Sequence, residues 1–600
     1  MSAINEVEDD EIERNEKLVE NPKAQTEISS AKIKLLYVGT VTIVLLIVVL
    51  VYILVVVVGG SSKSNESNEG PIDKNETKND TIPPGPDTDK DHYDYRNLTN
   101  YITVKYELQT PGVIDLFNEK YLDSVSIMVY NDRKINISNT YNFTAGEHTV
   151  HIEFNNSLES TAEMFKNCIN LKGIFFTKFK TENITNMSGM FYGCIALASI
   201  NLTDFDTRKV TDMSYLFYDC SIINNIILNN FDTSNVENME SMFSGLEVMT
   251  SLNLKSFNTK KLKKIKNMFS RDYNLQKLTT GSDFIISGIT DLSGIFNECF
   301  LLPRIDIKFV DTSETINMSR MFKDCSKLTY VDISNFDTSK VKDMSYMFAS
   351  CFKLEKIDIS HFDTSNVEDM NNLFSGCIKI KELNLKNFNT SKVKNMDSLF
   401  NLCSSLTSLD LYSFDTSQVT NMNKMFDMCE NINVLDLSTF NTSNVIDMGF
   451  MFAAMSALTS IDLSSFDTKK VENFDHLFYN SYSLLNIDLS SFQTPKVTNL
   501  NGMFYGCSSL SEIDLSNFDT SKVTTMLAMF IGCKNLTYID ISNFSTESNT
   551  EKSYYFYSGD FNGTLIYNST KFNKTYMDNI LNYWEKIDVN SHSDMHSLLY

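Results

Sequence analysis

The stretch LTSLDLYSFDTSQVTNMNKMFDMC, from Leu406 to Cys429, decides the fold because close copies of it recur about fifteen times between residues 160 and 545. Each copy carries a phenylalanine that returns every 26 residues, with one step of 27 residues between Phe269 and Phe296. So strict a period predicts a solenoid, in which each unit buries its apolar face against its neighbours. The marker residues are Phe165, Phe191, Phe217, Phe243, Phe269, Phe296, Phe322, Phe348, Phe374, Phe400, Phe426, Phe452, Phe478, Phe504 and Phe530.

Within one unit, the spacing of apolar residues predicts a short strand, a turn and a short helix. Leu409 and Leu411 lie two apart and share a strand face, while Asp410 between them points to the other face. The run from Asp415 to Ser417 offers side-chain oxygens that cap a helix start. Val419, Met422, Phe426 and Cys429 then follow at helical spacing. Stacked strands need about 4.8 Å each and helices about 8–10 Å, so we expect an arc with the strands on its inner side.

These residues carry a family resemblance. The phrase SLSEIDLSNFDTSKVTTMLAMFIGC, from Ser509 to Cys533, resembles the BspA-like leucine-rich repeats of microbial surface proteins in their 26-residue form. The resemblance covers about two thirds of the chain. It implies a cell-surface leucine-rich-repeat protein used for adhesion or recognition, without catalysis. The stretch from Thr279 to Thr290 departs from the family pattern, since it lacks the FDTS turn and carries the extra residue, and we expect a local bulge or kink there.

Charge and cysteine content narrow the possible partners and the state of the core. A net charge of −24 argues against nucleic-acid binding, which needs clustered Lys and Arg. All eleven cysteines stand three residues after a marker phenylalanine, so they form one column of the repeat. Stacked cysteines are close enough for disulfides in an oxidising exterior. Because Leu246 and Met455 occupy the same column, we favour buried thiols.

Outside the repeats, composition divides the chain into further segments. Residues 1–34 predict a disordered cytoplasmic tail, 35–58 a transmembrane helix and 59–92 a flexible stalk. Lys32 and Lys34 favour a single-pass type II orientation in the plasma membrane, with the repeats outside. Residues 93–157 alternate like β-strands and predict a small N-terminal cap. Residues 158–546 are the solenoid, and 547–600 predict a C-terminal cap of hairpins and a final helix.

The sequence carries no enzyme motif and no signal for a cofactor or a metal site. There is no G-x-S-x-G, no Gly-rich phosphate loop and no C-x-x-C. His148 and His151 are three apart on a predicted strand, which sends them to opposite faces. We therefore expect no catalysis and no bound cofactor.

Two columns that point away from the core, onto the inner, strand-lined face of the expected arc, are the candidate ligand-binding surface. One is an acidic column in the middle of each strand, and the other is the variable position two residues earlier, which we call the variable row. Stacked carboxylates need compensation by raised pKa values, by cations or by nearby donors, and we favour an acceptor ladder to Ser, Thr or backbone groups. The candidate residues are Tyr330, Asp332, Lys356, Asp358, Glu382, Asp410, Asp436, Asp462, Asp488, Glu512, Asp514, Tyr538 and Asp540.

Taken together, the sequence predicts an α/β leucine-rich-repeat solenoid, with a short parallel strand and a short helix per unit, a β-rich N-terminal cap and a single-pass membrane anchor. The predicted function is adhesion or recognition by protein–protein binding, with an unidentified protein or host-surface ligand and no nucleic acid. Two alternatives remain. One is a passive surface coat or spacer without a specific ligand, and the other is an intracellular scaffold if the topology is inverted.

Overall fold

In the computed structural model, residues 93–176, 178–548, 563–571 and 585–589 are described. All of them belong to one compact unit of the chain. The predicted tail, transmembrane segment and stalk, residues 1–92, lie outside the described residues. No helix within the described ranges is long and apolar enough to cross a membrane.

The first described segment is a β-rich unit that is continuous with the array. It contains 3₁₀ helices at Tyr95–Asn97 and Glu119–Ser124 and six strands before the first repeat. The strands are β1 (Tyr101–Leu108), β2 (Gly112–Asp115), β3 (Val125–Tyr130), β4 (Arg133–Ile135), β5 (Thr140–Phe143) and β6 (Gly146–Phe154). In the main sheet, of order β4-β3-β6-β1-β7, β1 pairs antiparallel with β7 (Leu171–Phe175) of the first repeat. The same apolar core then runs on into the repeats.

The remaining strands come from the repeats and pair in parallel wherever they form. They are β8 (Ser199–Asn201), β9 (Asn225–Ile227), β10 (Ser251–Leu254), β11 (Lys277–Thr280), β12 (Arg304–Ile305), β13 (Tyr330–Val331), β14 (Glu512–Asp514), β15 (Tyr538–Asp540), β16 (Thr564–Tyr567) and β17 (Glu585–Asp588). From residue 332 to 511 the equivalent segments keep the in–out alternation but are not hydrogen-bonded as strands. The ladder β14-β15-β16-β17 is parallel throughout, so the hairpin and final helix predicted at the C-terminus are wrong at Thr564–Tyr567 and Glu585–Asp588.

The short helix predicted in each unit is absent, and tight turns occupy its place. Met425 and Cys429 donate to carbonyls three residues earlier, at 3.2 and 3.1 Å, as in a turn. The N–H groups of Met422, Lys424, Phe426 and Met428 instead donate to carbonyls of the next repeat, at 2.8–3.0 Å. In an α-helix the same N–H groups would donate to the carbonyls four residues earlier in the same segment. Here the backbone groups are satisfied between units.

Two positions in every unit have a backbone conformation that an α-helix excludes. Lys424 and Met428 have φ of 53° and 58°, and the equivalent residues of the other fourteen units also have positive φ. An α-helical residue has φ near −63°. Turns of three and four residues still bring Met422, Phe426 and Cys429 to the interior, which is why their spacing resembled a helix.

The interior consists of columns that run along the array. All fourteen consecutive pairs of marker phenylalanine rings stack, with centroids 5.5–6.1 Å apart and planes within 13°. The eleven cysteines are free thiols and buried, and burial raises their pKa. Ten of them donate to the carbonyl of the marker phenylalanine in the preceding repeat, at 3.0–3.2 Å.

A buried threonine column, which the sequence analysis did not single out, also joins the repeats. Thr416 accepts the N–H of Asn441 at 2.8 Å and donates its hydroxyl to the carbonyl of the same residue at 3.0 Å. The column is interrupted once, where Ile286 replaces threonine. The strand register is 26 residues up to Thr280, and the extra residue falls between Thr280 and the buried Phe284.

The predicted arc loses its physical cause, because helices wider than strands are absent. The most continuous backbone ladder runs along the side that holds Asn421, where parallel bridges connect successive units. That ladder stops at Lys264 and resumes at Asp291, on either side of the extra residue. Along the strand side, bonding between units is intermittent. Backbone pairing between units is therefore more continuous on the turn side than on the strand side.

Candidate binding face

The acidic column and the variable row lie at the surface of the strand side, because alternation sends the flanking residues inward. Leu409 and Leu411 are buried, whereas Asp410 between them is exposed. The structure exposes ten of the thirteen candidate residues and half-buries the other three. The exposed candidates are Tyr330, Lys356, Asp358, Glu382, Asp410, Asp436, Asp462, Asp488, Glu512 and Asp514, and the half-buried ones are Asp332, Tyr538 and Asp540.

Each acid of the column closes a turn with the residue two positions later. Oδ1 of Asp462 accepts the backbone N–H of Ser464 at 2.9 Å, and Oδ1 of Asp358 accepts both the N–H and the hydroxyl of Ser360, at 3.1 and 2.6 Å. Asparagine can fill this role too, as Asn384 does for Lys386. The compensation for stacked carboxylates is therefore the acceptor ladder that the sequence analysis favoured.

The protonation equilibria of the acidic column agree with this geometry. The serine hydroxyl and then its backbone N–H lower the pKa of Asp332, Asp358 and Asp462. For Asp436 and Asp488 the backbone N–H lowers the pKa most, followed by the hydroxyl. The direction is opposite to the raised pKa values considered as one form of compensation. In the described part of the chain, no group of three or more acidic, histidine or cysteine side chains is arranged to hold a metal ion.

The second carboxylate oxygen of the column is available to a cation. In the hydrogen bonds above only Oδ1 is used. Where a lysine lies within reach, the other oxygen attracts it: the Nζ of Lys308 is 3.8 Å from Oδ2 of Asp332. Between residues 306 and 540 the strand side thus carries a carboxylate in every repeat except the one that holds Asn384.

Three large side chains with apolar surface stand out on this acidic face. Val434, in the variable row, is 71% exposed, and Tyr330 in the same row is 49% exposed. Tyr412, two residues after Asp410, is 82% exposed. The sequence analysis did not single out Tyr412, although between residues 308 and 542 seven of the nine equivalent residues are serine and the other two are lysine. They are Lys308, Ser334, Ser360, Lys386, Ser438, Ser464, Ser490, Ser516 and Ser542.

The side of the coil formed by the turns carries aromatic clusters of its own. The sequence analysis expected helices on this side. The ring of Tyr192 stacks on that of Tyr218 at 4.7 Å, and Lys166 lies over Tyr192 at 5.3 Å. In later repeats, His476 stacks on Phe450 at 4.7 Å. These half-buried rings already contact one another and nearby cations of the chain, so they contribute to the packing of the turns.

A groove of about 490 Å³ lies where the N-terminal unit meets the first repeats. Its wall includes Phe175, which is half exposed, with the Nζ of Lys105 5.2 Å from the ring centre. Lys172, also in the wall, pairs with Glu107 at 2.8 Å and Glu147 at 2.6 Å. The lysine charge is thereby neutralised within the chain. Nearby, His148 contacts Tyr130 and His151 contacts Thr103, so the two histidines share no ligand position.

Comparison with solved structures gives similarities at low identity. A leucine-rich repeat protein from Bacteroides ovatus is 17% identical over 58% of this chain and 88% of that chain, with a TM-score of 0.27. The functional domain of InlJ from Listeria monocytogenes, described as including a cysteine ladder, is 14% identical over 64% and 67%, with a TM-score of 0.16. The Toll–Spatzle complex of Drosophila is 13% identical over 65% and 56%, with a TM-score of 0.21. At these values the neighbours carry no argument about the site.

No curated protein matches the sequence significantly. A protein family, in contrast, matches most of the repeat region, over residues 159–282, 272–381, 347–460, 397–512 and 482–596. These matches together span residues 159–596, more than half of the chain. The 26-residue period fits leucine-rich-repeat-like units. The chain therefore belongs to the family described as "Mycoplasma protein of unknown function, DUF285".

Proposed function

We propose that this protein is a non-enzymatic binding protein that recognises a protein partner through the strand side of its solenoid. The observation that carries the proposal is the exposure of Tyr412 and Val434 at 82% and 71% on a regular, otherwise polar surface. Tyrosine and other large apolar residues are enriched at the centres of protein interfaces. On a surface repeated every 26 residues, these two positions mark a place where the repeat pattern is broken in favour of apolar contact area.

The charge around these anchors defines the partner. Asp410 and Asp436 flank them, and the described chain places no lysine or arginine in an ion pair with either one. A partner that presents basic side chains around an apolar contact complements this face. Because complementary surface charge acts mainly on association, the association rate should fall as salt rises.

The finer assignment that we propose is a BspA-like surface protein used in adhesion or recognition. Its support is the sequence resemblance together with the apolar run at residues 35–58 and the lysines before it. In this arrangement the chain is a single-pass type II protein of the plasma membrane, and the repeats lie outside the cell. A passive coat and an intracellular scaffold are the competing functions.

Protease treatment of intact cells tests the topology. The full chain, with an epitope placed before Leu35, is expressed in a cell that tolerates it. Protease should remove the repeats and leave the epitope protected. Protection of the repeats together with loss of the epitope would replace the surface assignment with an intracellular scaffold.

A comparison of three full-length chains tests the binding face. Partners captured by the native chain are compared with those captured by the double variant Tyr412→Ser, Val434→Ser. Serine is the residue that both columns already accept elsewhere, at Ser438 and Ser408, so the fold should be retained. The control is Tyr482→Ser, which removes a tyrosine that is 40% exposed on another segment of the coil. A partner lost only with the double variant supports the proposal, and one retained by it rejects this face.

A further inference from the structure

One exposed column of the array alternates between lysines and the groups that accept their charge. It stands eight residues after the acidic column in each unit. In five repeats, the lysine Nζ donates to a side chain of the same column one repeat earlier, at 2.6–2.8 Å. The pairs are Lys209 with Asn183, Lys261 with Asn235, Lys340 with Glu314, Lys392 with Asn366 and Lys470 with Asn444.

The alternation fails at the C-terminal end of this column. Lys470, Lys496 and Lys522 follow one another in successive repeats, so Lys496 and Lys522 have a lysine where the others have an acceptor. All three side chains are exposed. Neither Lys496 nor Lys522 forms a hydrogen bond or an ion pair with the described chain. Nearby acids form no hydrogen bond with Lys496 or Lys522. Asp519 closes its own turn with Ser521, whose hydrogen bonds lower the pKa of Asp519 more than the charge of Lys522 does. Asp467 pairs with Lys469 at 3.6 Å.

Three like charges one repeat apart repel one another unless an external anion lies between them. Neighbouring strands of a sheet are about 4.8 Å apart, which sets the order of this spacing. An anionic partner that presents one charge at the same interval would neutralise all three lysines at once.

The acidic column of this same chain carries its charges at the interval of the three lysines. From Asp410 to Asp540 the acidic column has one carboxylate in every 26-residue unit, and Lys470, Lys496 and Lys522 have the same sequence interval, so both sets advance along the array by one repeat per charge. Asp410, Asp436, Asp462, Asp488 and Asp514 are exposed. The contact between Lys308 and Oδ2 of Asp332 shows that an ammonium group can approach this column. A foreign polyanion matches the lysines only if its own charge spacing happens to agree.

We infer that Lys470, Lys496 and Lys522 form a docking edge for the acidic strand side of a second copy of this chain, with the two solenoid axes aligned. The contact joins two different surfaces, so each copy still offers the free surface that the next copy needs. Such heterologous contacts build open rows and not closed dimers. The inference does not depend on recognition of a foreign partner through Tyr412 and Val434.

The contact is weak for a single pair of copies in solution, because exposed ion pairs contribute little individually. Copies held side by side at high local concentration would gain from the same contacts through multivalency. In dilute solution the association should therefore be seen at low ionic strength and disappear as salt screens the charges.

Sedimentation velocity of the full chain over a range of concentrations tests the docking edge. At about 0.01 M salt the native chain should self-associate, and at about 0.15 M the association should weaken. The variant Lys470→Gln, Lys496→Gln, Lys522→Gln should reduce the association constant about tenfold or more, as expected for the loss of several surface ion pairs. Glutamine occurs naturally in this column at Gln418, so the fold should tolerate it.

The matched control is Lys209→Gln, Lys261→Gln, Lys392→Gln, which changes the net charge equally but removes lysines that already have acceptors. This control should associate like the native chain. An equal loss in both triple variants would mean that only net charge matters, and it would overturn the inference. So would a native chain that stays monomeric at low salt.

The acidic partner surface is tested by changing five of its residues to asparagine, which keeps the turn as Asn384 does. The control changes five acids of the neighbouring turn column. The first set is Asp410, Asp436, Asp462, Asp488 and Asp514, and the second, which lies outside the repeats of the lysine edge, is Asp232, Asp311, Asp337, Asp363 and Asp415. Association lost only with the first set supports the inference. If the lysine variant loses binding to a soluble polyanion but still self-associates, the occupant is a foreign polyanion.

Discussion

At the scale of single residues, Asp272 is the most unusual side chain of the interior. It stands in the cysteine column and is fully buried. Oδ1 accepts the N–H of Leu246 at 2.9 Å, but Oδ2 has no hydrogen-bond partner. At the same position Ser481 accepts the N–H of Met455 and also donates its hydroxyl to the carbonyl of Phe452, at 2.8 Å. Ten cysteines and Ser481 thus donate from this column to a carbonyl of the preceding repeat, which a carboxylate can do only when it is protonated.

Burial raises the pKa of Asp272 well above its ordinary value, although the N–H groups of Leu246 and Gly245 and the charge of Arg271 oppose the shift. The folded chain thus holds this proton more tightly than the unfolded chain, whose aspartate pKa is about 3.9. Stability falls as pH rises above about 4, up to the folded-state pKa.

We predict that Asp272→Ser stabilises the chain by about 1–3 kcal/mol at pH 8, because serine supplies the donor without a charge. The gain should shrink towards pH 4, where the native aspartic acid is protonated in both states. Thermal unfolding of both chains across this pH range measures the difference. A gain that is constant with pH would show that Asp272 does not change its protonation on folding.

At the scale of the element, the decisive feature is that each unit is a coil of turns whose backbone bonds connect to the next unit. The residue before the cysteine column has positive φ in all fifteen units. It is Gly, Asn or Asp in nine of them, which is the signal that predicts a left-handed residue and was not used. Helical spacing of apolar residues is compatible with such turns, so periodicity alone did not separate the two structures.

Replacing a glycine of this column with alanine should change stability in opposite directions in a helix and in the observed turns. Gly376 has φ of 76°, and an added Cβ would lie 3.1 Å from Cα of Ser350. In a helix interior, Gly376→Ala would stabilise by about 1 kcal/mol. Here we predict that it destabilises by about 1 kcal/mol or more, because alanine at positive φ is strained. Denaturant unfolding gives the sign directly, and Gly173→Ala is the control, since an added Cβ there meets nothing within 4 Å.

At the scale of the whole molecule, continuous columns make the array quasi-one-dimensional, and one repeat interrupts several of them. Between Lys264 and Asp291 the bridge ladder stops, Asp272 replaces cysteine and Ile286 replaces threonine. The stack of phenylalanine rings continues across it, with Phe269 and Phe296 at 5.5 Å. The apolar core is thus continuous where the polar ladders are not.

We predict that Phe426→Ala costs about 3–5 kcal/mol locally, since its ring is fully buried and stacks on neighbours at 5.9 and 6.0 Å. Each unit contacts mainly its neighbours, so hydrogen exchange should rise first in the adjacent repeats. The rise should diminish before the interrupted repeat near Gly281. Uniform loss of protection from Phe165 to Phe530 would contradict nearest-neighbour coupling.

The sequence by itself determined the solenoid, its period and the inward columns. A 26-residue repeat fixes which side chains stack, whatever the backbone between them does, because equivalent residues must meet in successive units. The alternation around Asp410 likewise placed the acidic column at the surface, and the swap of Asp for Asn indicated its acceptor role. These inferences need only the identity of neighbours in the stack.

The tertiary structure alone decided the backbone between those columns and the interactions that cross from one unit to the next. The N–H of Phe426 could donate to a carbonyl of its own unit, as in a helix, or to the carbonyl of Met451 in the next unit, as observed. The sequence of one repeat does not show which of the two acceptors is used, because the second belongs to a neighbouring repeat. Because these N–H groups bond to the next unit, no helix forms in the repeat, and the helix width that was expected to bend the array into an arc is missing. Exposure of Tyr412 and the missing acceptors of Lys496 and Lys522 depend on the residues that surround them in space. The repeat period therefore determines which side chains stack, while the hydrogen-bond partner of each polar group depends on the repeat that packs against it.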